Sequence, residues 1–489
     1  MFTETLDAPL EQTQLKLRPF AALPGPRGIP LLGNALQIES SRFHQQLEAW
    51  CDEFGPLFKL QIANRKILVV GDHQLIALIL RDRPDGFQRT SRFEQIWRAM
   101  NLPVGVFGAN GDTWQRQRRM VMAGFDPAHV KRYFPALQTV AQRLVGRWQK
   151  AARANTVIEL QPDLMRYTVD TIAGLAFGAE VNTLASDGDV IQQHLDKIFP
   201  ALFKRILSPL PTWRYLPSAA NRELKRSIAE VNLAVTGFAV QARKRMQADP
   251  SLRENPRNLL EAMIAAADVP DSGIDDQQVA GNVLTMLLAG EDTTANTIAR
   301  MIHLLWRNPR AMARAASEVR WVVRDVNNPT FEEIAKLDYV EACAHETMRL
   351  KPVAPVLPLE TLREVTIGDV RVPAGIIVSN VMRRDSVSDR HVPRAASFDL
   401  QRWLSTNANA ESSVQNANSA KRVSMPFGAG PRICPGRYLA LLEMKMAMAV
   451  LLGNFDIENV TTPDGLEARE HLAFTMGPVG LRMTLKMRG

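Results

Sequence analysis

The sequence predicts a mainly α-helical protein with a minor β region, and three observations lead there. Helical apolar periodicity runs over long stretches, above all from Asp275 to Arg307. Strand-like runs such as Lys66 to Val70 are short, and no repeat period marks a solenoid or propeller. Over 489 residues, 46% apolar and 22% charged content describes an ordinary globular chain with room to bury a large cofactor. One long polar, low-complexity stretch, NANAESSVQNANSA at 407–420, reads as a surface loop within a domain. The expected organisation is an N-terminal arm, 1–22, followed by a single domain, 23–489.

The arm carries three acidic residues in MFTETLDAPLEQTQLKLRPF and no apolar run. It is neither a signal peptide nor the roughly 20-residue apolar span of a membrane helix. Nothing downstream qualifies as a span either, so a soluble protein is expected. The three cysteines, Cys51, Cys343 and Cys434, are odd in number and widely separated. That argues against a disulfide framework and for a reducing, cytoplasmic compartment. The net charge of +8 comes with no nucleic-acid motif and no aromatic-interleaved basic run. It suits an acidic protein partner and gives no support to nucleic-acid binding.

The central pattern DDQQVAGNVLTMLLAGEDTTANTIARMIHLLWR predicts one helix of about 33 residues, about 50 Å long at 1.5 Å per residue, ending at Asn308-Pro309. Its middle is chemically unusual, because Glu291, Asp292, Thr293 and Thr294 follow Met286 to Ala289 in a segment that should be buried. Gly290 and the threonines are expected to loosen the backbone ladder there.

Downstream, Phe427-Gly-Ala-Gly-Pro-Arg-Ile-Cys-Pro-Gly436 is a glycine- and proline-punctuated loop feeding into the helical pattern Arg437 to Leu452. Cys434 thus stands just before a helix, where unpaired amides and the positive dipole end favour a thiolate. Gly430 and Gly436 are expected to let the backbone approach a flat ligand and aim amides at the sulfur.

This loop resembles the heme-binding signature of the cytochrome P-450 family, Phe-x-x-Gly-x-Arg-x-Cys-x-Gly, at all five fixed positions. The resemblance implies a single-domain fold of helices around a buried heme b, with Cys434 as the axial iron ligand, Arg432 facing a propionate and Phe427 and Gly436 near the sulfur. A thiolate ligand favours cleavage of the O–O bond. Ala289-Gly290-Glu291-Asp292-Thr293 looks like the family's oxygen-binding motif. By that likeness Asp292 and Thr293 relay protons, while Ala289 and Gly290 line the distal pocket. Glu346 and Arg349 match the family's Glu-x-x-Arg, with Arg402 as its third, structural member. Trp114 and Arg118 resemble the Trp-x-x-x-Arg element that binds a propionate. Leu-Pro-Gly-Pro-Arg-Gly at 23–28 resembles the entry segment that follows a membrane anchor in microsomal members; here no anchor precedes it, as in soluble bacterial-type members. The chain departs from the pattern where many relatives carry an arginine or histidine, since Pro358 is followed by Leu359.

The implied activity is that of a monooxygenase inserting one atom of O2 into a hydrophobic substrate. Electrons would come from NAD(P)H through a separate ferredoxin or flavodoxin with its reductase, docking on a basic face that includes Arg116, Arg119 and Arg437. Phe87, Phe107, Met286, Val353 and Phe474 fall in the stretches that match the family's variable substrate segments, and they are apolar. Two other readings stay open on the sequence. One is a heme-thiolate enzyme that needs no electron donor, a peroxide-driven hydroxylase or an isomerase; the other is a heme-binding sensor or carrier. The acid–alcohol pair favours the monooxygenase.

Overall fold

The computed structural model describes residues 17–125, 127–179, 181–185, 190–215, 218–404 and 420–488. Most of the polar stretch 407–420 and of the arm 1–22 lies outside them.

The predicted long helix spans Asp276–Arg307, 32 residues and about 48 Å. Its start is a capping box, in which the Gln278 amide donates to Asp275 Oδ1 (2.7 Å) while Gln278 Oε1 accepts from the Asp275 amide (3.0 Å). It ends at Asn308 because Pro309 opens the next helix, Pro309–Val322.

This central helix belongs to two cores. Its first half contributes Val279, Val283, Leu284 and Met286 to Leu288 to a cluster with Phe93, Trp97, Phe177 and Phe199. Its second half contributes Ala295, Ile298, Ala299, Met301, Ile302 and Leu305 to a cluster with Trp148, Tyr167 and the helix Arg437–Asn454. The polar residues 289–294 lie between the two. The helix packs most extensively along Leu160–Phe177. Gly290 faces that neighbour, for an added Cβ would lie 2.6 Å from Ile172 Cγ1. The missing side chain thus allows close helix approach, while the residue itself stays half-buried beside exposed Ala289.

The minor β region holds a five-stranded mixed sheet in the order Leu57–Ile62, Arg65–Val70, Ile377–Val381, Val356–Thr361, Phe87–Arg89. The last pair is antiparallel and sets Phe87 opposite Thr361 and Arg89 opposite Leu359. A two-stranded hairpin, Glu470–Ala473 with Thr475–Pro478, turns at Phe474, whose φ is +93°. No helix among the described residues is long and apolar enough to cross a membrane.

Gly281 sits where the central helix crosses the backbone of Val104 and Gly105; an added Cβ would lie 2.8 Å from Val104 C and 2.9 Å from Gly105 N. Gly→Ala inside a helix ordinarily stabilises by about 0.5–1 kcal/mol. Here the overpacking term wins, and Gly281→Ala should instead destabilise by about 1–3 kcal/mol, read as a lower urea midpoint.

Candidate active site

Cys434 lies three residues before the helix Arg437–Asn454 and is half-buried. Its amide donates to the Phe427 carbonyl (2.9 Å), which closes the loop on itself. Gly430 has φ +69° and presses the loop against the end of helix His73–Arg81, where a Cβ would collide with the Leu80 carbonyl. The close approach made by Gly430 is thus to that helix, in place of the flat ligand expected from sequence. Burial pushes the Cys434 thiol up, while the Gly436 amide at the helix start, Arg118 and Arg437 act in the opposite sense. Those opposing groups are what a thiolate needs. Cys51 and Cys343 are fully buried free thiols, and burial pushes Cys51 up to about 12.

Four arginines converge beside this loop from separate elements. The Arg118 guanidinium donates to the Ile433 carbonyl (2.8 Å), and that of Arg83 to the Ala429 carbonyl (3.1 Å). Arg89 Nε donates to the Phe107 carbonyl (3.2 Å). Arg432 lies 4.6 Å from the centroid of the buried Trp114 ring and donates to the Ala109 carbonyl. Its Nε and a second terminal nitrogen are buried without a partner. Burial, and then mutual repulsion, lowers Arg89 and Arg432 to about 9; burial lowers Arg83 to about 10. Among the described residues none of the four makes an ion pair with a carboxylate.

Trp114, Arg118 and Arg432 were legible in the sequence, whereas Arg83 and Arg89 were not. The one available signal was a charge beside an apolar strand, Phe87-Gln88-Arg89. Arg89 stands opposite Leu359, the position at which the sequence departs from the family pattern. Directly opposed residues share a face of an antiparallel pair, so Arg89 brings a cation to that face. Of the expected basic face, Arg119 is exposed, Arg437 is half-buried, and Arg116 is half-buried against Gly273.

Glu346 and Arg349 form a fully buried bidentate pair, Nε to Oε2 and a terminal nitrogen to Oε1, both 2.8 Å. Arg402 Nε (3.2 Å), Trp403 Nε1 (2.8 Å) and the Asp399 amide (3.0 Å) complete the shell of donors around Glu346. The remaining Arg349 donors reach the Ser386 and Ser397 carbonyls. A buried ion pair persists when every polar atom is satisfied, as here.

At the middle of the central helix, Thr293 Oγ1 donates to the Ala289 carbonyl (2.6 Å), and the helix continues unbroken. Ala289 is exposed to the open side of the helix. Asp292 is engaged by Asn296 and Thr475. Phe107, Met286 and Phe474 belong to one apolar cluster with Phe93 and Phe199. The Phe107 and Phe474 rings are 6.0 Å apart, and Phe474 stacks on Phe199 at 4.5 Å. Val353 is tied to the C-terminal hairpin through its carbonyl, which accepts from the Met476 amide (2.8 Å). Phe87 does not join the apolar wall: it packs in a separate cluster with Leu359, Ile367 and Val378, a correction to its expected place in the pocket.

The cytochrome P450 family model matches residues 23–485. The chain belongs to the cytochrome P450 family. A self-sufficient cytochrome P450 monooxygenase of Exserohilum turcicum is 28% identical over 480 residues, which cover 96% of this chain and 43% of that protein. A bifunctional cytochrome P450/NADPH–P450 reductase of Bacillus subtilis is 24% identical over 487 residues, covering 96% of this chain and 43% of that protein. This P450 thus spans less than half the length of these curated relatives. The crystal structure of the cytochrome P450DA heme domain shares its fold, with a TM-score of 0.80 at 23% identity over 97% of this chain and 98% of that one. The residues present fit the family's heme. Two propionates require cations in a desolvated setting, and the buried, unpaired donors of half-buried Arg432, with Arg83, Arg89 and Arg118 around it, would supply them. Cys434 would supply the sulfur ligand.

Behind the site, Glu443 on the post-cysteine helix is buried, bonded to Thr294 of the central helix, and has Oε1 unpartnered. Burial raises its carboxyl from 4.5 to about 8. The folded protein therefore holds that proton more tightly than the unfolded chain, and the stability it contributes below pH 4.5 is lost as pH rises through about 8. Glu443→Gln should abolish this part of the pH dependence and be more stable than wild type at about pH 8, by on the order of a few kcal/mol. Parallel melting-temperature profiles for the two proteins between about pH 5 and 8 would count against a neutral buried acid.

Proposed function

We propose that this chain is a heme-thiolate monooxygenase unit that inserts one atom of O2 into a hydrophobic organic substrate, and that it works in the cytoplasm. The observation that carries the reading is Cys434 at a helix start, flanked by Arg118 and Arg437 and set beside buried arginines that have no carboxylate of their own. Heme b bound there supplies oxygen activation, favoured by electron density from the sulfur.

The protein's residues supply binding, exclusion of water and protons. Arg432, Arg118, Arg89 and Arg83 hold the carboxylates of the cofactor, with Trp114 stacked against Arg432. The Gly436 amide, Arg118 and Arg437 oppose the rise that burial imposes on the Cys434 thiol and so favour its thiolate. Phe93, Phe107, Phe199, Phe474 and Met286 form an apolar, water-excluding wall suited to a fatty acid, terpenoid, steroid or aromatic compound. Thr293 presents a hydroxyl at the open face of the central helix, and Asp292 is the adjacent proton carrier.

Electrons originate in NAD(P)H and arrive from a ferredoxin, flavodoxin or reductase module through the basic surface of Arg119 and Arg437. The relatives from Exserohilum turcicum and Bacillus subtilis are named as self-sufficient and as bifunctional with an NADPH–P450 reductase, respectively. Their names favour a flavoprotein reductase module as the donor.

The reading is tested by reducing the purified protein with dithionite, adding carbon monoxide and recording the difference spectrum. Wild type should show the family's thiolate Soret band and Cys434→Ala should lose it; a histidine-type band in wild type would sink the proposal. Once a substrate is found, Thr293→Ala should keep the thiolate band, divert electrons to peroxide and lower product formation by about tenfold to a hundredfold. Unchanged coupling in that variant would remove Thr293 from proton delivery.

A further inference from the structure

Asp292 and Thr293 are neighbours in sequence, yet no hydrogen bond joins their side chains. The Thr293 hydroxyl is turned to the Ala289 carbonyl. Both Asp292 oxygens are occupied elsewhere: Asn296 Nδ2 donates to Oδ1 (2.5 Å) and the Thr475 hydroxyl donates to Oδ2. Asn296 in turn accepts from Gln161 Nε2 (2.9 Å), so it is held in that orientation.

Thr475 comes from the C-terminal hairpin, which is fastened along one face of the central helix. Asp292, Asn296 and Arg300 recur every four residues on that face. The Arg300 guanidinium donates to the carbonyls of Ala468 (2.8 Å), Arg469 (3.1 Å) and Gly477 (3.2 Å), which fixes the hairpin base. At the tip stands Phe474, in the left-handed backbone region that a phenylalanine rarely adopts, with its ring on Phe199 and near Phe93 and Phe107. Of two consecutive residues, one forms part of the apolar pocket wall and the next holds the carboxyl.

We propose that Thr475 is a positioning residue that retains the Asp292 side chain against the hairpin, and that a substrate displacing Phe474 withdraws this hydroxyl and frees Asp292 to turn toward Thr293. This rests on the monooxygenase reading and adds to it a coupling between pocket occupancy and proton delivery. No covalent bond changes in the step, as the carboxyl exchanges one hydroxyl partner for another. A single hydrogen bond to a carboxylate is comparable in strength to the burial of one large apolar group, so apolar substrate binding can offset its loss. Burial raises Asp292, and the two donors oppose that shift. The ionisable neighbours are Asp196, raised to about 6 by burial and by the charge of Asp292, and Glu291, to which Asp196 is bonded.

The test uses the full chain with Thr475→Val, which keeps the shape without the hydroxyl, Thr475→Ser, Asp292→Asn and the Thr475→Val/Asp292→Asn double variant. Infrared pH titration of the carboxyl stretch, with Asp292→Asn as reference, reads the acid directly and is independent of any turnover. Losing a donor to the carboxylate should raise the Asp292 midpoint by about half to one unit in Thr475→Val, and Thr475→Ser should restore it.

The second measurement is peroxide release by the heme-loaded, substrate-free protein supplied with NADPH through a surrogate ferredoxin and ferredoxin reductase. Thr475→Val should release peroxide about threefold to tenfold faster than wild type, Thr475→Ser should stay within about twofold of it, and Asp292→Asn should cancel the increase. An unmoved midpoint in Thr475→Val overturns the contact. A moved midpoint with unchanged peroxide release overturns the coupling, as does an increase that survives Asp292→Asn. Failure of the monooxygenase reading shows separately, as a missing thiolate Soret band with the infrared shift intact.

Discussion

Everything at this site depends on one helix being held at both ends and left polar in the middle. The first half of Asp276–Arg307 is buried in one apolar cluster and the second half in another. With both halves anchored, the backbone of the intervening Glu291, Asp292 and Thr293 is held in place. A carboxyl in such a place costs several kcal/mol unless donors reach it, and the fold brings them from Asn296 and from the C-terminal hairpin. Sequence placed the acid; the two cores keep it beside the pocket.

The buried charges divide into two kinds, and the division separates scaffold from site. Around Glu346 both carboxylate oxygens have donors, and Arg349 and Arg402 find further acceptors. Such a closed network resists water and ligands alike. Around Arg432 the accounting stays open: two guanidinium nitrogens have no acceptor, and Arg83, Arg89 and Arg118 repel it or one another. Cations gathered without counter-charge are tolerated in a folded protein where an anionic group binds. Arg89 shows how the pattern is met by geometry. Its strand lies against the strand of Leu359, so a residue about 270 positions away in the chain brings a cation to the face where many relatives use an arginine or histidine from the other strand.

What was legible in the sequence was local. The central helix begins and ends within a residue of the prediction because Asp275, Gln278 and Pro309 act through their immediate neighbours. The strand around Lys66 to Val70 is present for the same reason, an uninterrupted β-branched and apolar run. The cysteine loop is readable because its glycines, prolines and following helix are contiguous. Contacts between distant segments were readable only where a family pattern carried them, as with Glu346, Arg349 and Arg402. Phe87 shows the other outcome: its apolar character is compatible with sheet core or pocket, and only its packing with Leu359, Ile367 and Val378 decides for the sheet.

The sequence by itself determined the mainly helical class, the length and limits of the central helix, and the thiol set just ahead of a helix, because each depends on backbone preferences and spacing over a few residues. Tertiary structure alone decided that Gly290 faces Ile172, that Arg83 and Arg89 join Arg432, that Arg116 turns to Gly273, and that Asp292 is bound by Thr475 from 183 residues downstream. Those outcomes depend on which surfaces meet when the two cores close around the central helix. No local preference encodes that meeting, since the energy of a contact between distant segments exists only once both are in place.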